Sequence, residues 1–169
     1  MNQPLRLNPA ASQRLPLLIS SIGFAFWQLQ DMENAARGYL VVRWAPKRGL
    51  GHDVELAISQ KVDKMPFGGV IADLRKRGAI SESLANDLEA AKAERNWLVH
   101  HSRRETRGIL SREPALVALI HRLDAMAQES LRLHKALALE LERFAVQSGV
   151  SQGSIDRESL RLAKSWGFE

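Results

Sequence analysis

The chain has 169 residues, 45% of them hydrophobic, so it is long enough to bury the core of one compact domain. Lysine and arginine number 24 against 19 aspartate and glutamate residues, and the net charge of +5 favours polyanionic partners without requiring them. The sequence contains no cysteine, which excludes disulfide bonds, cysteine nucleophiles and thiolate metal sites.

The first predicted element is a long amphipathic helix. Residues 1–11 are polar and form a predicted N-terminal tail, and Ser12 is the expected N-cap of the helix that follows. Pro16 fits such a helix only near its first turn. The apolar stripe of this helix is formed by Leu15, Leu18, Ile22, Phe26, Leu29, Met32, Ala36 and Leu40.

The most apolar segment of this helix, Leu15 to Trp27, is shorter than the roughly 20 residues that a membrane span requires. The N-terminal residues also lack the basic region, apolar run and cleavage site of a secretory signal. A cytoplasmic protein without membrane association is therefore expected.

Two short helices are predicted next, after the turn sequence APKRGLGHD. The first begins after Asp53 and is interrupted by MPFGG, and the second ends at Gly78. Their predicted apolar faces are Val54, Ile58, Val62 and Met65 in the first, and Phe67, Val70, Ile71 and Leu74 in the second.

Ser81 is the expected N-cap of a fourth helix, and a connection, TRGILSREP, separates that helix from the longest periodic segment, Pro114 to about Gln147. The break SGVSQGS then precedes a terminal helix. The apolar positions are Leu84, Leu88, Ala91 and Leu98 in the fourth helix; Leu116, Leu119, Leu123, Met126, Leu133, Leu137, Leu141 and Phe144 in the long one; and Ile155, Leu162 and Trp166 in the last.

Helical periodicity dominates, and no segment shows the alternation typical of a set of strands, so the sequence predicts an all-α protein. Short connections between four to five main helices favour an up-and-down bundle with a short C-terminal helix. The expected organisation is a tail at 1–11, a bundle at 12–147, and a linker with the C-terminal helix at 148–169.

The fourth helix carries ERNWLVHHSRRE, residues 94–105. At about 100° per residue, Arg95 falls near the centre of the apolar stripe of this helix. Burying an unpaired charge is costly, so Arg95 needs either an internal partner or a partly open polar cleft. Asn96 and His100 are four residues apart and share a neighbouring face. The last two turns are therefore expected to border a pocket or an interface.

Arginine, asparagine and histidine at this spacing suit metal-free cleavage of a phosphodiester bond. A base removes the 2′-hydroxyl proton and a cation stabilises the charge that develops on the phosphate. Histidine titrates near neutral pH, arginine offers a planar fork to phosphate oxygens, and asparagine can hold a ribose or orient the histidine. One motif supplies one firm histidine, so an acid–base pair requires His101 or a second protomer, which favours a homodimer.

Each of these residues also has a structural interpretation. Arg95 would form an ion pair with a carboxylate of a neighbouring helix. His100 would interact with the dipole and the last carbonyls at the C-terminus of its helix, and His101 would simply be exposed.

The hexapeptide RNWLVH, Arg95 to His100, resembles the R-x4-H motif of the HEPN superfamily (higher eukaryotes and prokaryotes nucleotide-binding domains). The match includes the polar residue that often follows the arginine, here Asn96. The preceding sequence, MPFGGVIADLRKRGAISESLANDLEAAKAERN, is similar to the two helices that lead into the motif in bacterial HEPN proteins. The resemblance covers roughly Asp53 to Ser102.

This resemblance implies an all-helical protein that dimerises and places two motifs in one cleft, often as a metal-independent endoribonuclease. Arg95, Asn96 and His100 then match the catalytic positions of the family. Such proteins recur as toxins of toxin–antitoxin pairs and in abortive infection against phage, so an antitoxin protein is an implied partner.

One departure concerns the tyrosine that several HEPN toxins carry two residues after the histidine, where a partner nucleotidyltransferase modifies it. Here that position is Ser102, which leaves tyrosine-directed neutralisation and the toxin interpretation open. His101 is also an alternative to His100 as the functional histidine. The competing hypothesis is a non-catalytic HEPN-like module that dimerises and binds nucleic acid or a regulatory partner.

Basic residues after the motif are candidates for RNA binding: His101, Arg103, Arg104 and Arg107, with Arg112 further along. They could guide an RNA backbone, since phosphate contacts supply most nonspecific affinity, or they could form a solvated helix end and loop. The sequence has no H-E-x-x-H, no carboxylate-rich metal pattern and no glycine-rich phosphate loop, so no metal or cofactor is predicted.

Overall fold

A computed structural model describes residues 9–45, 52–106 and 108–165 of the chain. These ranges are helical and contain no strand, which confirms the predicted all-α class. The helices are α1 (Pro9–Trp44), α2 (His52–Asp63), α3 (Phe67–Lys76), α4 (Glu82–His100), α5 (Ser102–Glu105), α6 (Glu113–Gln147) and α7 (Gln152–Ser165), with a 3-10 turn at Ile109–Ser111.

Helices α1 and α6 are the two longest and pack along one another. Arg14 pairs with Glu113 near the start of both helices, and the Arg43 guanidinium lies 4.3 Å from the ring centroid of Phe144 near their ends. These two contacts mean that α1 and α6 run parallel. Most of the core lies between them, because both present long apolar stripes.

Helix α4 runs antiparallel to α6, since Asp87 pairs with Arg132 and Glu94 pairs with Arg122. Helix α3 packs against the other side of α4, and it is fixed there by Arg75, which donates to Asn86 at 2.8 Å.

The predicted apolar stripes of the helices are largely confirmed. The buried members are Leu18, Leu29, Met32, Ala36, Leu40, Val62, Phe67, Val70, Ile71, Leu74, Leu84, Leu88, Ala91, Leu98, Leu116, Leu119, Leu123, Met126, Leu133 and Leu137.

The start of α1 differs from the prediction. The helix begins at Pro9, so Ser12 lies inside it and is not its N-cap. A proline suits the first helical position because its fixed φ is already helical and its missing N–H would have no intrahelical partner there. Pro16 lies within the helix and is exposed, so the carbonyl that loses its backbone donor can be hydrated. Residues 1–8 of the predicted tail lie outside the described residues.

The α2–α3 region follows the prediction with two corrections. Val54 is 44% exposed, so it does not belong to the buried face of α2. The chain breaks at residues 64–66, while Gly68 and Gly69 belong to the first turn of α3. Most of the predicted turn APKRGLGHD, at residues 46–51, lies outside the described residues.

The ends of α3 and α4 are set by local sequence, as predicted. Gly78 adopts a φ of 60° after α3, a left-handed conformation that glycine takes without steric cost. Ser81 caps α4, and its Oγ accepts a hydrogen bond from the N–H of Leu84 at 3.1 Å.

Helix α4 ends at His100, His101 forms a turn with a φ of −118°, and α5 begins at Ser102. The stretch ERNWLVHHSRRE is therefore divided between two helices and the turn that joins them. After α6, Gly149 has a φ of 84° at the predicted break, and α7 follows. Ile155 of α7 is half-buried, whereas the side chain of Leu162 and all of Trp166 lie outside what the structure describes. No described helix is both long and apolar enough to cross a membrane.

Candidate functional site

The motif arginine lies between α4 and α1. Arg95 has a side chain that is 35% exposed, and its Nε is 3.1 Å from Oε1 of Glu33, which is only 11% exposed at its side chain. The two residues occupy the apolar stripes of their helices and neutralise each other's charge there. Arg95 therefore has both the internal carboxylate and the partial opening that its position requires.

The ion pair leaves one polar atom without a hydrogen bond. Glu33 Oε1 is buried and accepts no hydrogen bond from the described residues, although Arg95 Nε is close to it. The distance gives charge compensation, but the N–H direction does not give an aligned hydrogen bond. A buried acceptor in this state costs about 1–3 kcal/mol relative to a satisfied one.

A cleft of about 410 Å³ opens beside this pair, between α1, α4 and the start of α3. Its wall is formed by Glu33, Arg37, Pro66, Phe67, Gly68, Lys92, Arg95 and Asn96. Three cationic side chains and one carboxylate line it, so the cleft carries a net positive charge. From α4, the cleft wall includes Lys92, Arg95 and Asn96 but not the last turn of the helix.

Arg37 fixes one side of the cleft. Its Nη1 donates to the carbonyl oxygens of Val62 at 2.7 Å and Met65 at 2.8 Å. These carbonyls belong to the end of α2 and the turn that follows, where a cation is favourable. The contact holds the α2–α3 turn against α1 and thereby places the start of α3 at the cleft.

The N-terminus of α3 lies in the cleft wall without a side-chain cap. Its N-cap is Pro66, which makes no side-chain cap hydrogen bond, and no acidic residue lies in its first turn. Gly69 and Val70 both donate to the carbonyl of Pro66, whereas the N–H groups of Phe67 and Gly68 have no acceptor among the described residues. The positive end of this helix dipole is thus uncompensated on its own helix.

Lys92 packs directly against this helix start. A Cβ on Gly68 would lie 3.1 Å from Lys92 Nζ, so the glycine allows the ammonium group to approach the backbone. Lys92 also pairs with Glu89, one turn earlier on α4. An ammonium group beside the positive end of a helix is electrostatically unfavourable unless a negative charge lies close to both.

Asn96 and His100 lie on an exposed face of α4, as their spacing predicts. Asn96 lines the cleft, and its Oδ1 is 3.3 Å from Arg95 Nη1, which donates to it. His100 is exposed at the last residue of α4, one turn beyond Asn96, and lies outside the cleft wall. His101 is also exposed, and its ring lies edge-on to that of His100 with centroids 6.5 Å apart. The structure thus brings Arg95 and Asn96 together and leaves both histidines accessible.

A cluster of contacts holds the corner after His100. Trp97 Nε1 donates to Glu105 Oε2 of α5 at 2.6 Å, and the Arg122 guanidinium lies 3.4 Å from the Trp97 ring centroid. Arg122 also forms a bidentate pair with Glu94, at 3.0 and 3.1 Å. Ser102, two residues after His100, donates its hydroxyl to the carbonyl of Leu98. These contacts join the last turns of α4 to α5 and α6.

The structure describes some, but not all, of the arginines that were predicted to bind RNA. Arg103 and Arg104 are exposed on α5, next to the motif, and Arg112 is exposed just before α6. Arg107 lies outside the described residues. The positions of Arg103 and Arg104 are compatible with both interpretations made from the sequence, RNA binding and a solvated helix end.

Sequence reasoning missed Glu33, Arg37, Gly68 and Lys92, which form much of the cleft. A pattern that could have identified Glu33 was available, because it lies four residues after Leu29 and three before Ala36 in the stripe of α1. A carboxylate and an arginine, each placed in an apolar stripe, indicate a pair. The contribution of the α3 start required tertiary structure.

No group of three or more histidine, aspartate or glutamate side chains within the described ranges is arranged to hold a metal ion. Comparisons of the chain with protein-family models, with curated proteins and with solved structures gave no match.

Proposed function

We propose that this chain is a HEPN-like, metal-independent endoribonuclease that acts as a homodimer. The observation that carries the proposal is that Arg95 and Asn96 line an open, positively charged cleft while His100 is exposed one turn further along α4. A cation, a polar group and a titratable base are thus available to one extended substrate.

In this mechanism, Arg95 contacts the phosphate and stabilises the charge that develops on its oxygens. His100 removes the proton from the 2′-hydroxyl, and the 2′-oxygen attacks phosphorus. The bond from phosphorus to the 5′-oxygen breaks, and a second histidine protonates that oxygen. The products are a 2′,3′-cyclic phosphate and a free 5′-hydroxyl group. Asn96 holds Arg95 or the ribose in position.

The second histidine comes from a partner protomer or from His101. A surface of α1 supports dimerisation: Leu17, Phe24 and Trp27 are 54%, 48% and 58% exposed and fall within about 80° of the helix circumference. We call these three residues the α1 patch. Large exposed apolar side chains grouped on one face mark interaction surfaces more often than single ones do.

A toxin–antitoxin or phage-defence setting follows from the family resemblance alone. Position 102 is a serine, so it offers no tyrosine for a partner enzyme to modify, and its hydroxyl donates to the carbonyl of Leu98. This argues against control by tyrosine modification at this position. An antitoxin, if present, would have to act by covering the cleft or the exposed histidines.

The decisive experiment is cleavage of a mixed RNA pool in EDTA by purified wild type, His100→Ala and His121→Ala. His121 is an exposed histidine of α6 that is not part of the RNWLVH motif, and it serves as the matched control. Wild type and His121→Ala should cut and leave 2′,3′-cyclic phosphate ends, whereas His100→Ala should not. Equal cutting by all three proteins, or no cutting by a folded dimer, would contradict the proposal.

The ion pair of Arg95 with Glu33 favours a second candidate, the non-catalytic HEPN-like module. In that case Arg95 stabilises the bundle, and the exposed cations bind nucleic acid or a regulatory partner without cleavage. RNA binding by the wild type without any cut product would support this function over the first.

A further inference from the structure

Helix α5 follows the motif directly and carries two of the basic residues considered for RNA binding, Arg103 and Arg104. It has four residues, and none of them is buried. A helix this short is not stable by itself, and apolar packing does not hold it in place. Its position therefore depends on polar contacts. Within the described residues, the side-chain hydrogen bond of α5 that spans the longest stretch of chain is made by Glu105.

The partner of Glu105 is Trp97, which lies one turn before the end of α4. The indole Nε1 donates to Oε2 of Glu105 at 2.6 Å, and the acceptor is a carboxylate, which strengthens the hydrogen bond. The backbone N–H of His101 donates to the carbonyl of Trp97 at 2.9 Å. Trp97 thus contacts both the turn that precedes α5 and the last residue of α5.

Trp97 is itself supported from α6. The Arg122 guanidinium lies 3.4 Å from the centroid of the indole ring, and its Nε and Nη2 donate to the two carboxylate oxygens of Glu94 at 3.0 and 3.1 Å. The bidentate pair orients the planar guanidinium, which stacks on the aromatic face. We call the contacts among Arg122, Trp97 and Glu105 the α5 clamp. The α5 clamp connects the short helix to one of the two longest helices of the bundle.

Loss of the hydrogen bond between Trp97 and Glu105 would affect α5 more than the bundle. The bundle would keep its core, because α5 contributes no buried residue to it. Helix α5 would keep only contacts that span short stretches of chain, such as the hydrogen bond of Ser102 to the carbonyl of Leu98. Its arginines would then sample more positions, and ordering them on a phosphate backbone would cost more entropy.

We propose that Trp97 is a positioning residue, which through Glu105 holds α5 so that Arg103 and Arg104 bind the RNA backbone beside the motif. Arg122 acts through Trp97. The inference takes RNA as the ligand and in that sense rests on the proposed function, but it gives a role to a motif residue that the cleavage mechanism does not use. RNA affinity reports on the α5 clamp without any cleavage.

The test measures the affinity of a short fluorescein-labelled oligouridylate by fluorescence anisotropy. The protein is the full chain carrying His100→Ala, so that the RNA is not cut. Trp97→Phe retains an aromatic ring for Arg122 but removes the donor to Glu105, and it should weaken binding about fivefold. Unchanged affinity of this variant would overturn the proposal.

Trp44→Phe is the matched control. Trp44 of α1 also donates its Nε1 to a carboxylate, that of Asp73, and the Arg77 guanidinium lies 5.4 Å from its ring centroid. The control therefore removes the same kind of hydrogen bond beside the same kind of cation, and it should leave RNA affinity unchanged. Equal weakening by both variants would assign the effect to a general loss of structure and would overturn the proposal.

Two substitutions of Glu105 separate the hydrogen bond from the charge. Glu105→Gln removes the charge and retains an acceptor for the indole N–H, whereas Glu105→Ala removes both. Loss of a carboxylate beside two arginines should by itself strengthen RNA binding. The α5 clamp predicts instead that Glu105→Ala binds about fivefold more weakly than Glu105→Gln. Equal or tighter binding by Glu105→Ala would refute the clamp, and both variants should fold because α5 buries no residue.

The salt dependence of binding shows whether Trp97 acts through the two arginines. Arg103→Gln and Arg104→Gln together should lower the slope of log affinity against log salt by about 1.4, because each phosphate contact to a single strand contributes about 0.7. Trp97→Phe should have little further effect on affinity in that background. Fully additive losses would mean that Trp97 acts on RNA binding by another route, contrary to the proposal.

The outcomes also separate this inference from the nuclease. RNA affinity that responds to Trp97→Phe, in a protein whose wild type cuts no RNA, would uphold the α5 clamp and remove the endoribonuclease. Cleavage that depends on His100, together with an affinity that does not respond to Trp97→Phe, would uphold the nuclease and remove the clamp. A folded protein that binds no oligouridylate would also overturn the inference.

Discussion

At the scale of single residues, Glu33 and Arg95 each explain the other's position. Both lie in apolar stripes, where an isolated charge would be costly, and their atoms meet at 3.1 Å between α1 and α4. The pair is asymmetric, because Glu33 is almost fully buried whereas about a third of the Arg95 side chain reaches solvent. Arg95 can therefore support the fold and still contact a ligand, so the structural and functional interpretations do not exclude one another.

This asymmetry predicts different effects for the two substitutions. Arg95→Met leaves a buried carboxylate without its cation and should lower the free energy of unfolding by about 2 kcal/mol, below the loss typical of fully buried pairs because Arg95 is partly exposed. Glu33→Met frees an arginine that can turn toward water and should cost less than about 1 kcal/mol. The double variant should lie close to wild type. Urea unfolding of the four proteins measures the coupling, and additive losses would show that the pair is not a unit.

How far the sequence predicts the site depends on which residues are considered. The position of Arg95 in a stripe, and the shared face of Asn96 and His100, follow from helical spacing alone. The orphan Oε1 of Glu33 and the contact of Lys92 with Gly68 depend on how three helices pack, which periodicity does not encode. The cleft could thus be expected, but its chemistry could not.

At the scale of elements, local sequence sets some boundaries and tertiary contacts set others. Ser81 and Gly78 were predictable because a cap and a left-handed turn act within a few residues. The turn at His101 was not predictable in this way, because the contacts beside it join Trp97 to Glu105 of α5 and to Arg122 of α6. At the start of α1 the local signal was misleading. Ser12 is a favourable N-cap residue, but the helix begins three residues earlier, at Pro9, and contains Ser12.

Two glycines allow the effect of backbone conformation on stability to be measured separately from packing. A Cβ added at Gly78, after α3, or at Gly23, inside α1, would meet no atom within 4 Å, so neither substitution creates a steric clash. Gly78 has a φ of 60°, which a side chain disfavours, and Gly78→Ala should destabilise by about 1 kcal/mol. Gly23 lies inside α1, and Gly23→Ala should stabilise by about 1 kcal/mol.

Thermal unfolding of the two glycine variants checks this prediction. Their midpoints should move in opposite directions from wild type by roughly 2–4 °C each. A shift of both in the same direction would mean that the backbone at one of the two glycines differs from the structure. The comparison needs no assumption about function.

At the scale of the whole molecule, the cations near the motif and the α1 patch belong to different segments of the fold. The cations of the cleft and of α5 lie around the motif, whereas the α1 patch lies on the N-terminal half of α1. A homodimer that uses the α1 patch would bury apolar area without covering Arg103 and Arg104 by the same contacts. An acid–base pair then requires that the two motifs approach each other across or beside this interface.

The α1 patch is therefore the place to test the homodimer. Trp27 is the most exposed residue of the patch, at 58%, and Trp27→Glu would place a charge where aromatic area should be buried. The dimer dissociation constant should rise by at least about thirtyfold, equivalent to a loss of about 2 kcal/mol. Leu139→Glu, at a residue that is 52% exposed on α6 and outside the patch, should leave it unchanged. Light scattering during gel filtration over a range of concentrations measures both.

The same variant tests whether catalysis needs two motifs. If it does, RNA cleavage by Trp27→Glu should fall with the dimer fraction and recover at high protein concentration. A wild type that is monomeric at every concentration, yet cuts RNA, would instead assign the second proton transfer to His101 within one chain.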